Sequence, residues 1–395
     1  MKKDEQYKRL ILREIYYANT LSATELSERI GKSLPLTIRT VNHLVKEKIL
    51  EPSGYAPSSG GRRPITYTIN KKALYILSVS MDQLVTRISM MDLTNSHVGG
   101  IRRHELPLKN NPTALKALAT LLADAVNESG IDRSRILGVG IGMPGFIDGM
   151  RGENYSFPMQ DGTEQQTIVE YLATATGLPV HIDNDSSLIA LAEYRFGIAR
   201  KAANSMVVNI GWGVGLGMIL NGSLFRGNNG FAGEFSHIPL FNNNKLCSCG
   251  KSGCLETETS LLVLIDKAVK GLQDGKISSL QDHFPTGEIE KDAESIMEAA
   301  ARGDKFCIEL IREIGYHIGR GVAILIHLLN PRSIVLSGRG SLAGRLWLAP
   351  VQQALNEHCI PRLATQTAVE VSALGYEAEL LGSAALVMEN YATPQ

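Results

Sequence analysis

The strongest constraint on this chain is a group of four potential metal ligands. Three of its five cysteines fall within eight residues, and a histidine lies ten residues before the first of them. Thiolate and imidazole groups at this density complete a tetrahedral zinc shell with no open position for water. Three incidental cysteines beside a surface histidine are the alternative. The clustering favours a structural Zn²⁺ site formed by His237, Cys247, Cys249 and Cys254.

Length and hydropathy indicate a multidomain intracellular protein. A chain of 395 residues predicts two or three domains. No apolar run reaches the ~18 residues of a membrane span, and the basic start leads into no signal-peptide core. The other cysteines, Cys307 and Cys359, are far apart in sequence, which predicts no disulfide framework. We therefore expect a cytoplasmic protein without membrane insertion.

The charge distribution sets the first 72 residues apart. The formal net charge of the whole chain is zero, but residues 1–72 carry 14 Lys and Arg against 7 Asp and Glu, and the remainder is correspondingly negative. A compact positive segment on a negative body is typical of a domain that meets a polyanion. Charge alone is also compatible with a solvated face, so the motifs must decide.

The first fifty residues have the pattern of a helix-turn-helix. An amphipathic helix is predicted over residues 5–18, and Ser22 with Glu25 forms a capping box that opens a second helix ending at Gly31. Ser33 can cap a third helix reaching about Ile49, which would be the recognition helix. Residues predicted to face inward are Ile38, Val41, Leu44 and Val45. Residues predicted to contact base edges are Thr37, Arg39, Thr40 and His43.

Residues 51–70 have the pattern of a β-wing. Glycines and a proline surround Arg62 and Arg63, and an alternating strand follows at residues 65–69. Two guanidinium groups on a glycine-rich tip suit a narrow, electronegative minor groove. A helical protein-docking module is the alternative for residues 1–70. The charge and the wing favour DNA as the partner of a winged helix-turn-helix domain at residues 1–72.

The body of the chain contains two similar blocks. Each has three strand-like segments, helical sequence and a further apolar strand; these later strands are at residues 136–144 and 333–337. A repeated plan of this kind predicts a duplicated two-lobed α/β fold with a ligand in its cleft. A Rossmann fold fits less well, because the early strands follow one another as hairpins. We assign residues 73–190 to a small lobe, on which a helix at about 377–392 packs back, and residues 191–376 to a large lobe.

A polar pair follows the last predicted strand of the first block. Asn184 and Asp185 come between the strand starting at Val180 and the next helix, where a carboxylate can accept hydrogen bonds from hydroxyls or act as a base. Asp185 as a simple helix N-cap is the alternative. Upstream, Gly145 permits close approach of the backbone to a ligand.

Together these features resemble the ROK family of repressors and sugar kinases. The resemblance rests on the winged helix, the Asn184-Asp185 pair, the segment 233–237 and the cysteine cluster ending at Glu256. It implies an actin-like, ribonuclease H-like ATPase fold with a zinc loop, and the N-terminal domain indicates the repressor branch, which resembles N-acetylglucosamine and glucose repressors. The sugar-binding residues that it implies are Gly145, Asn184, Asp185, Glu234, His237 and Glu256.

Comparison with the family pattern predicts a sugar site without an ATP site. Kinase members have an Asp-x-Gly-Gly-Thr phosphate turn, and the matching segment here is Ser80 to Leu84, without either glycine. In the second phosphate turn Trp212 replaces a small hydroxyl residue. Asp185 is then only the former catalytic base. Met159 and Ser236 also depart from the family pattern, so the sugar is not assumed to be glucose or N-acetylglucosamine.

These predictions combine into a sugar-responsive transcriptional repressor. A homodimer or tetramer would bind a palindromic operator, and a monosaccharide or sugar phosphate in the interlobe cleft would change the spacing of the DNA-binding domains. Two alternatives stay open from sequence: an ATP-dependent sugar kinase that retains a DNA-binding domain, and a regulator controlled by a protein partner.

Overall fold

A computed structural model describes residues 3–56, 63–157, 166–200 and 202–393 of the chain. Two compact units are present, one formed by residues 1–185 with 380–395 and the other by residues 186–379. A five-stranded mixed sheet lies in each unit, and the first unit also contains a three-stranded sheet. Within the described ranges, no helix combines the length and apolar character needed to cross a bilayer.

The first unit begins with a winged helix. Its elements are α1 (Lys3–Ala18), β1 (Leu21–Ser22), α2 (Ala23–Ile30), α3 (Leu34–Lys46), β2 (Leu50–Tyr55) and β3 (Ile65–Ile69). The three strands form one antiparallel sheet in the order β1-β3-β2, which is the predicted wing together with the segment that enters α2.

The helix boundaries follow local backbone chemistry. The predicted capping box is confirmed, because the Glu25 amide donates to Ser22 Oγ and the Ser22 amide donates to the Glu25 carboxylate. Gly31 then ends α2 in the left-handed conformation, with φ of 62°. Two details of the third helix differ from prediction. Ser33 precedes α3 without a side-chain cap bond, and α3 ends at Lys46 because Lys48 adopts a left-handed φ of 58°.

The rest of the first unit is a sheet covered by helices. Its elements are β4 (Tyr75–Met81), β5 (Val85–Asp92), β6 (His97–Glu105), α4 (Ala114–Glu128), β7 (Ile136–Met143), β8 (Ile147–Asp148), β9 (Glu153–Asn154), α5 (Ile168–Thr176) and β10 (Val180–Asn184). The sheet order is β10-β7-β4-β5-β6, with the first three strands parallel. Apolar side chains of β4, β7 and β10 pack with those of α4 and α5 to form its core.

The second unit repeats this plan. Its elements are α6 (Asp185–Arg195), β11 (Ser205–Ile210), β12 (Val214–Leu220), β13 (Ser223–Leu224), α7 (Glu256–Thr259), α8 (Leu261–Gln273), α9 (Ile289–Ala301), α10 (Lys305–Leu329), β14 (Ser333–Ser337), α11 (Leu348–His358), α12 (Pro361–Ala364) and β15 (Ala368–Val371). The sheet order is β13-β12-β11-β14-β15, again with two parallel and two antiparallel strand pairings. The predicted duplicated α/β fold is therefore confirmed.

The C-terminal helix α13 (Ala378–Tyr391) packs on the sheet of the first unit. Ser383 Oγ donates to the Val79 carbonyl at 2.8 Å, and Ser78 Oγ donates to the Leu380 carbonyl at 2.6 Å. Gly140 on β7 faces the Ser383 carbonyl so closely that a methyl group there would overlap it. Glycine at position 140 is therefore required for this close approach.

The winged helix also contacts α13. Tyr17 on α1 donates its hydroxyl to the Ala385 carbonyl at 3.2 Å and to Glu389 Oε1 at 3.1 Å. The Arg9 guanidinium lies 4.6 Å from the centre of the Tyr391 ring. The winged helix is thus docked on α13 as well as connected to the body through the chain.

We predict that Gly140→Ala destabilises the protein by about 1–3 kcal/mol, because the new methyl group forces β7 and α13 apart. Urea unfolding monitored by circular dichroism measures the loss. Gly130→Ala is the control, since nothing lies within 4 Å of a methyl group there and only its left-handed φ of 65° is penalised. Equal stability of Gly140→Ala and the wild type would contradict close packing of α13 on β7.

Candidate functional site

The four predicted metal ligands lie together in the second unit. One ligand atom from each of His237, Cys247, Cys249 and Cys254 can be chosen so that all lie within 4.8 Å of one another. Cys249 and Cys254 have their sulfurs 3.7 Å apart, and His237 Nδ1 is 3.5 Å from Cys247 Sγ. Tetrahedral coordination at a metal–sulfur distance of about 2.3 Å places ligands about 3.7 Å apart. The donor set and its spacing therefore fit a tetrahedral metal ion.

Short backbone pairings and an ion-pair network hold the cysteine loop in place. Pro239 and Cys254 form an antiparallel bridge that brings the two ends of the loop together. The buried carboxylate of Glu258 forms ion pairs with Lys245 in the loop, at 2.6 Å, and with Lys267 on α8, at 3.4 Å. These contacts anchor the loop to the helical layer of its own unit.

Two carboxylates adjoin the metal ligands. Glu234 Oε2 lies 3.5 Å from His237 Nε2, whereas His237 Nδ1 faces Cys247. Glu256 Oε2 accepts a hydrogen bond from the Val214 amide at 3.3 Å. Burial raises the pKa of the Glu234 carboxyl; His237 opposes this rise and Glu256 adds to it. The two nitrogens of one imidazole thus face different groups, so metal binding and contact with a polar ligand are compatible at His237.

Gly145, Asn184 and Asp185 belong to the first unit. Parallel pairing of β10 with β7 puts Asn184 beside Met143, two residues before Gly145. The Asn184 side-chain amide donates to the Gly145 carbonyl at 3.0 Å, and Asp185 is the first residue of α6. Gly145 and Asn184 are therefore in direct contact and Asp185 follows immediately, whereas the role of the three residues in sugar binding stays a prediction.

The segment matching the first phosphate turn is closed by its own side chain. Asp82 Oδ1 accepts hydrogen bonds from the amides of Leu84 and Val85, both at 2.7 Å. The carbonyl of Gln83 also accepts from the Leu108 amide at 3.0 Å. Backbone amides that could cradle a phosphate are therefore used internally in this turn. Met159 lies outside the described residues.

A stack of one cationic and two aromatic side chains lies at the glycine-rich segments 211–213 and 338–340. The Arg339 guanidinium is 4.9 Å from the Trp212 ring centre and 3.9 Å from the Tyr376 ring centre. Its side chain also forms an ion pair with Glu290 and a hydrogen bond with the Tyr376 hydroxyl. Sequence reasoning singled out Trp212 but missed this stack, because its members are distant in sequence and no motif links them.

The recognition helix corrects part of the predicted DNA interface. Thr37 and Thr40 are 1% and 9% exposed, and their hydroxyls donate to the carbonyls of Ser33 and Leu36 one turn earlier. Both threonines therefore face the core of the winged helix and cannot contact base edges. Ile38, expected to face inward, is instead 42% exposed.

The charged residues of the predicted interface are exposed where the structure describes them. Arg39 lies 3.6 Å from Asp4, and His43 lies 3.1 Å from Glu47, in contacts between exposed side chains that DNA could readily replace. Arg63 is exposed beside the wing strand β3. Arg62 lies outside the described residues.

Comparisons with known proteins agree with this architecture. The sequence matches the model of the ROK family over residues 86–390. A xylose repressor of Caldicellulosiruptor bescii is 29% identical over 97% of this chain and 95% of its own, and a glucokinase of Halalkalibacterium halodurans is 33% identical over 79% of this chain and 94% of its own. The structure of a ROK family transcriptional regulator, a homolog of the Escherichia coli MLC protein, superposes with a TM-score of 0.78. It has 24% identity and covers 98% of this chain and 96% of the regulator.

We predict that elemental analysis of protein purified without chelators finds about one metal ion per chain. Cys249→Ser should abolish this content because it removes one of four ligands. Cys359→Ser is the matched control, since Cys359 is a buried cysteine outside the cluster. Wild-type protein that is folded and metal-free would contradict the prediction.

Proposed function

Because the chain belongs to the ROK family, we propose that it is a sugar-responsive transcriptional repressor. The observation that carries this proposal is the winged helix at its N-terminus, docked on a body with the family fold. The match to a xylose repressor extends over 97% of the chain, whereas the match to a glucokinase extends over 79%. Such a regulator would act in the cytoplasm, on operator DNA.

The effector in this proposal is a monosaccharide or its phosphate. Glu234, His237 and Glu256 would bind sugar hydroxyls in the second unit, because carboxylates accept hydrogen bonds from hydroxyls and the free N–H of a metal-bound imidazole donates one. Gly145, Asn184 and Asp185 of the first unit are proposed to contact sugar on the strength of the family resemblance. D-xylose, D-glucose and N-acetylglucosamine are the first candidates.

The metal in the cysteine loop is proposed to be structural Zn²⁺. Three thiolates and one imidazole are typical zinc ligands, and four protein ligands leave no open position for catalysis. The ion would stabilise the loop and hold the His237 ring, which in turn orients Glu234. No catalytic step is assigned to it.

We also propose that the chain has lost the phosphoryl transfer of its kinase relatives. The first turn uses its amides internally, and Arg339 fills the space beside Trp212 in the glycine-rich segments of the second unit. A nucleotide would have to displace a cation that is stacked on two rings and paired with Glu290. Asp185 would then contact sugar without deprotonating it.

Regulation would couple effector binding to DNA binding. A homodimer presents two winged helices to the two halves of a palindromic operator, and a tetramer could pair two such dimers. A coupling free energy of about 1–3 kcal/mol changes operator affinity roughly 5- to 150-fold. Such coupling requires only that the sugar bind one conformation of the protein more tightly than another.

We predict that Glu234→Gln lowers affinity for the effector sugar at least about tenfold, because one charged acceptor is lost. Calorimetric titration with D-xylose, D-glucose, N-acetylglucosamine and their phosphates measures it, and Asp185→Asn tests the other unit in the same titration. Glu298→Gln, a surface change on α9, is the control. If no sugar binds the wild type, control by a protein partner replaces this proposal.

We predict that the protein transfers no phosphoryl group from MgATP to these sugars, and that a fluorescent ADP analogue does not bind. The physical reason is the occupied nucleotide region around Arg339. A coupled spectrophotometric assay measures turnover, with a ROK glucokinase as positive control. Turnover that disappears in Asp185→Asn would instead establish a DNA-binding kinase.

A further inference from the structure

The outward face of α3 is defined by the residues that the core leaves exposed. Thr37, Thr40, Val41 and Leu44 are buried. Successive residues of an α-helix are about 100° apart around its axis. This spacing identifies the residues on the side opposite to the four buried ones. Its members are Pro35, Ile38, Arg39, Asn42 and Lys46, all exposed. In a helix-turn-helix the exposed face of the recognition helix enters the major groove and contacts base edges.

Asn42 lies at the centre of this exposed face. It projects between the directions of Ile38 and Arg39, one turn further along α3, and its side chain is open to solvent. A carboxamide presents one donor and one acceptor in a plane, which matches N6 and N7 of adenine in the major groove. Guanine offers two acceptors there and suits Asn42 less well.

Ile38 supplies the second recognition element. Its apolar side chain is 42% exposed on the same face, one turn before Asn42. Exposure of a branched hydrocarbon beside Arg39 and Asn42 is unfavourable in water. The apolar group that DNA presents in the major groove is the thymine methyl. Four residues of helix span about 6 Å and one base pair about 3.4 Å, so the two contacts fall on neighbouring or next-but-one base pairs.

The charged residues of the face are better suited to phosphate. Arg39 is near Asp4, and His43 shares Glu47 with Lys8 on α1, whose Nζ lies 2.9 Å from that carboxylate. These exposed ion pairs can be exchanged for contacts with phosphates, which carry the negative charge of the duplex. Lys46 lies a further turn along α3, where the helix leaves the base edges.

We propose that Asn42 and Ile38 are the specificity-determining residues of the DNA interface, and that they read an adenine and a nearby thymine in each operator half-site. This inference rests on the proposed function, since it presupposes sequence-specific DNA binding. It replaces Thr37 and Thr40 as base readers and names the chemistry that the operator must present.

Selection of binding sites from randomised duplex DNA with the full-length protein tests the proposal. Half-sites should contain a fixed adenine with a thymine within about two base pairs. In the selected duplex, 7-deazaadenine removes N7 and uracil removes the thymine methyl. Each analogue should weaken binding of the wild type, the first by at least about fivefold. Asn42→Ala should be insensitive to the first analogue, and Ile38→Ala to the second.

Lys46→Ala is the matched control. Loss of a phosphate contact should weaken binding to all duplexes alike and leave the selected sequence unchanged. Because the analogues alter only the DNA, the wild-type measurements stand even if a variant folds poorly. Fluorescence anisotropy at fixed salt provides all affinities.

The outcomes separate this inference from the proposed function. If no sequence is enriched, sequence-specific DNA binding fails and the inference fails with it. If a sequence is enriched but wild-type binding ignores both analogues, the inference is overturned while the repressor proposal stands. Unchanged selectivity of Asn42→Ala and Ile38→Ala would overturn it equally.

Discussion

The position of the His237 imidazole is the constraint on which the second unit's site depends. One ring nitrogen faces Cys247 and the other faces Glu234, each at 3.5 Å. A metal bound by the first nitrogen would fix the ring and thereby the direction of the second. The cysteine loop, itself anchored through Lys245 and Glu258, can therefore set the geometry of a polar site without any metal contact to the ligand.

A small number of polar and stacking contacts joins the winged helix to the body of the first unit. Tyr17 donates to α13, and the hydroxyl of the buried Tyr16 donates to Asn95 Oδ1 at 2.6 Å, at the turn between β5 and β6. Each such bond contributes only about 1 kcal/mol, but together with the stacking of Arg9 on Tyr391 they oppose free rotation of the winged helix.

Much of this architecture could be predicted because its signals are local. The capping box of Ser22 and Glu25, the turn at Gly31 and the cysteine spacing each fix nearby backbone, and the structure has them as expected. The orientation of α3 could not be fixed in the same way. Threonine is compatible with either face of a helix, because its hydroxyl can donate to a backbone carbonyl one turn earlier, as those of Thr37 and Thr40 do. The polarity of these two residues therefore led to the wrong prediction of the outward face.

The stack around Arg339 shows why glycine-rich motifs alone do not decide whether a nucleotide can bind. Gly338 and Gly340 keep the segment glycine-rich, and both are needed for packing: a methyl group at either position would overlap Asn209 or Ile210. A glycine pattern can therefore persist for structural reasons after its ligand is lost. The residue between the glycines distinguishes a pattern kept for ligand binding from one kept only for packing. The guanidinium of Arg339 already contacts the rings of Trp212 and Tyr376 and the carboxylate of Glu290. A nucleotide could offer it only the same kinds of aromatic and anionic contact, so there is little to gain from exchanging them. An unpaired arginine at the same position would attract phosphate, so the ring contacts and the ion pair of Arg339, and not its mere presence, are what argue against nucleotide binding.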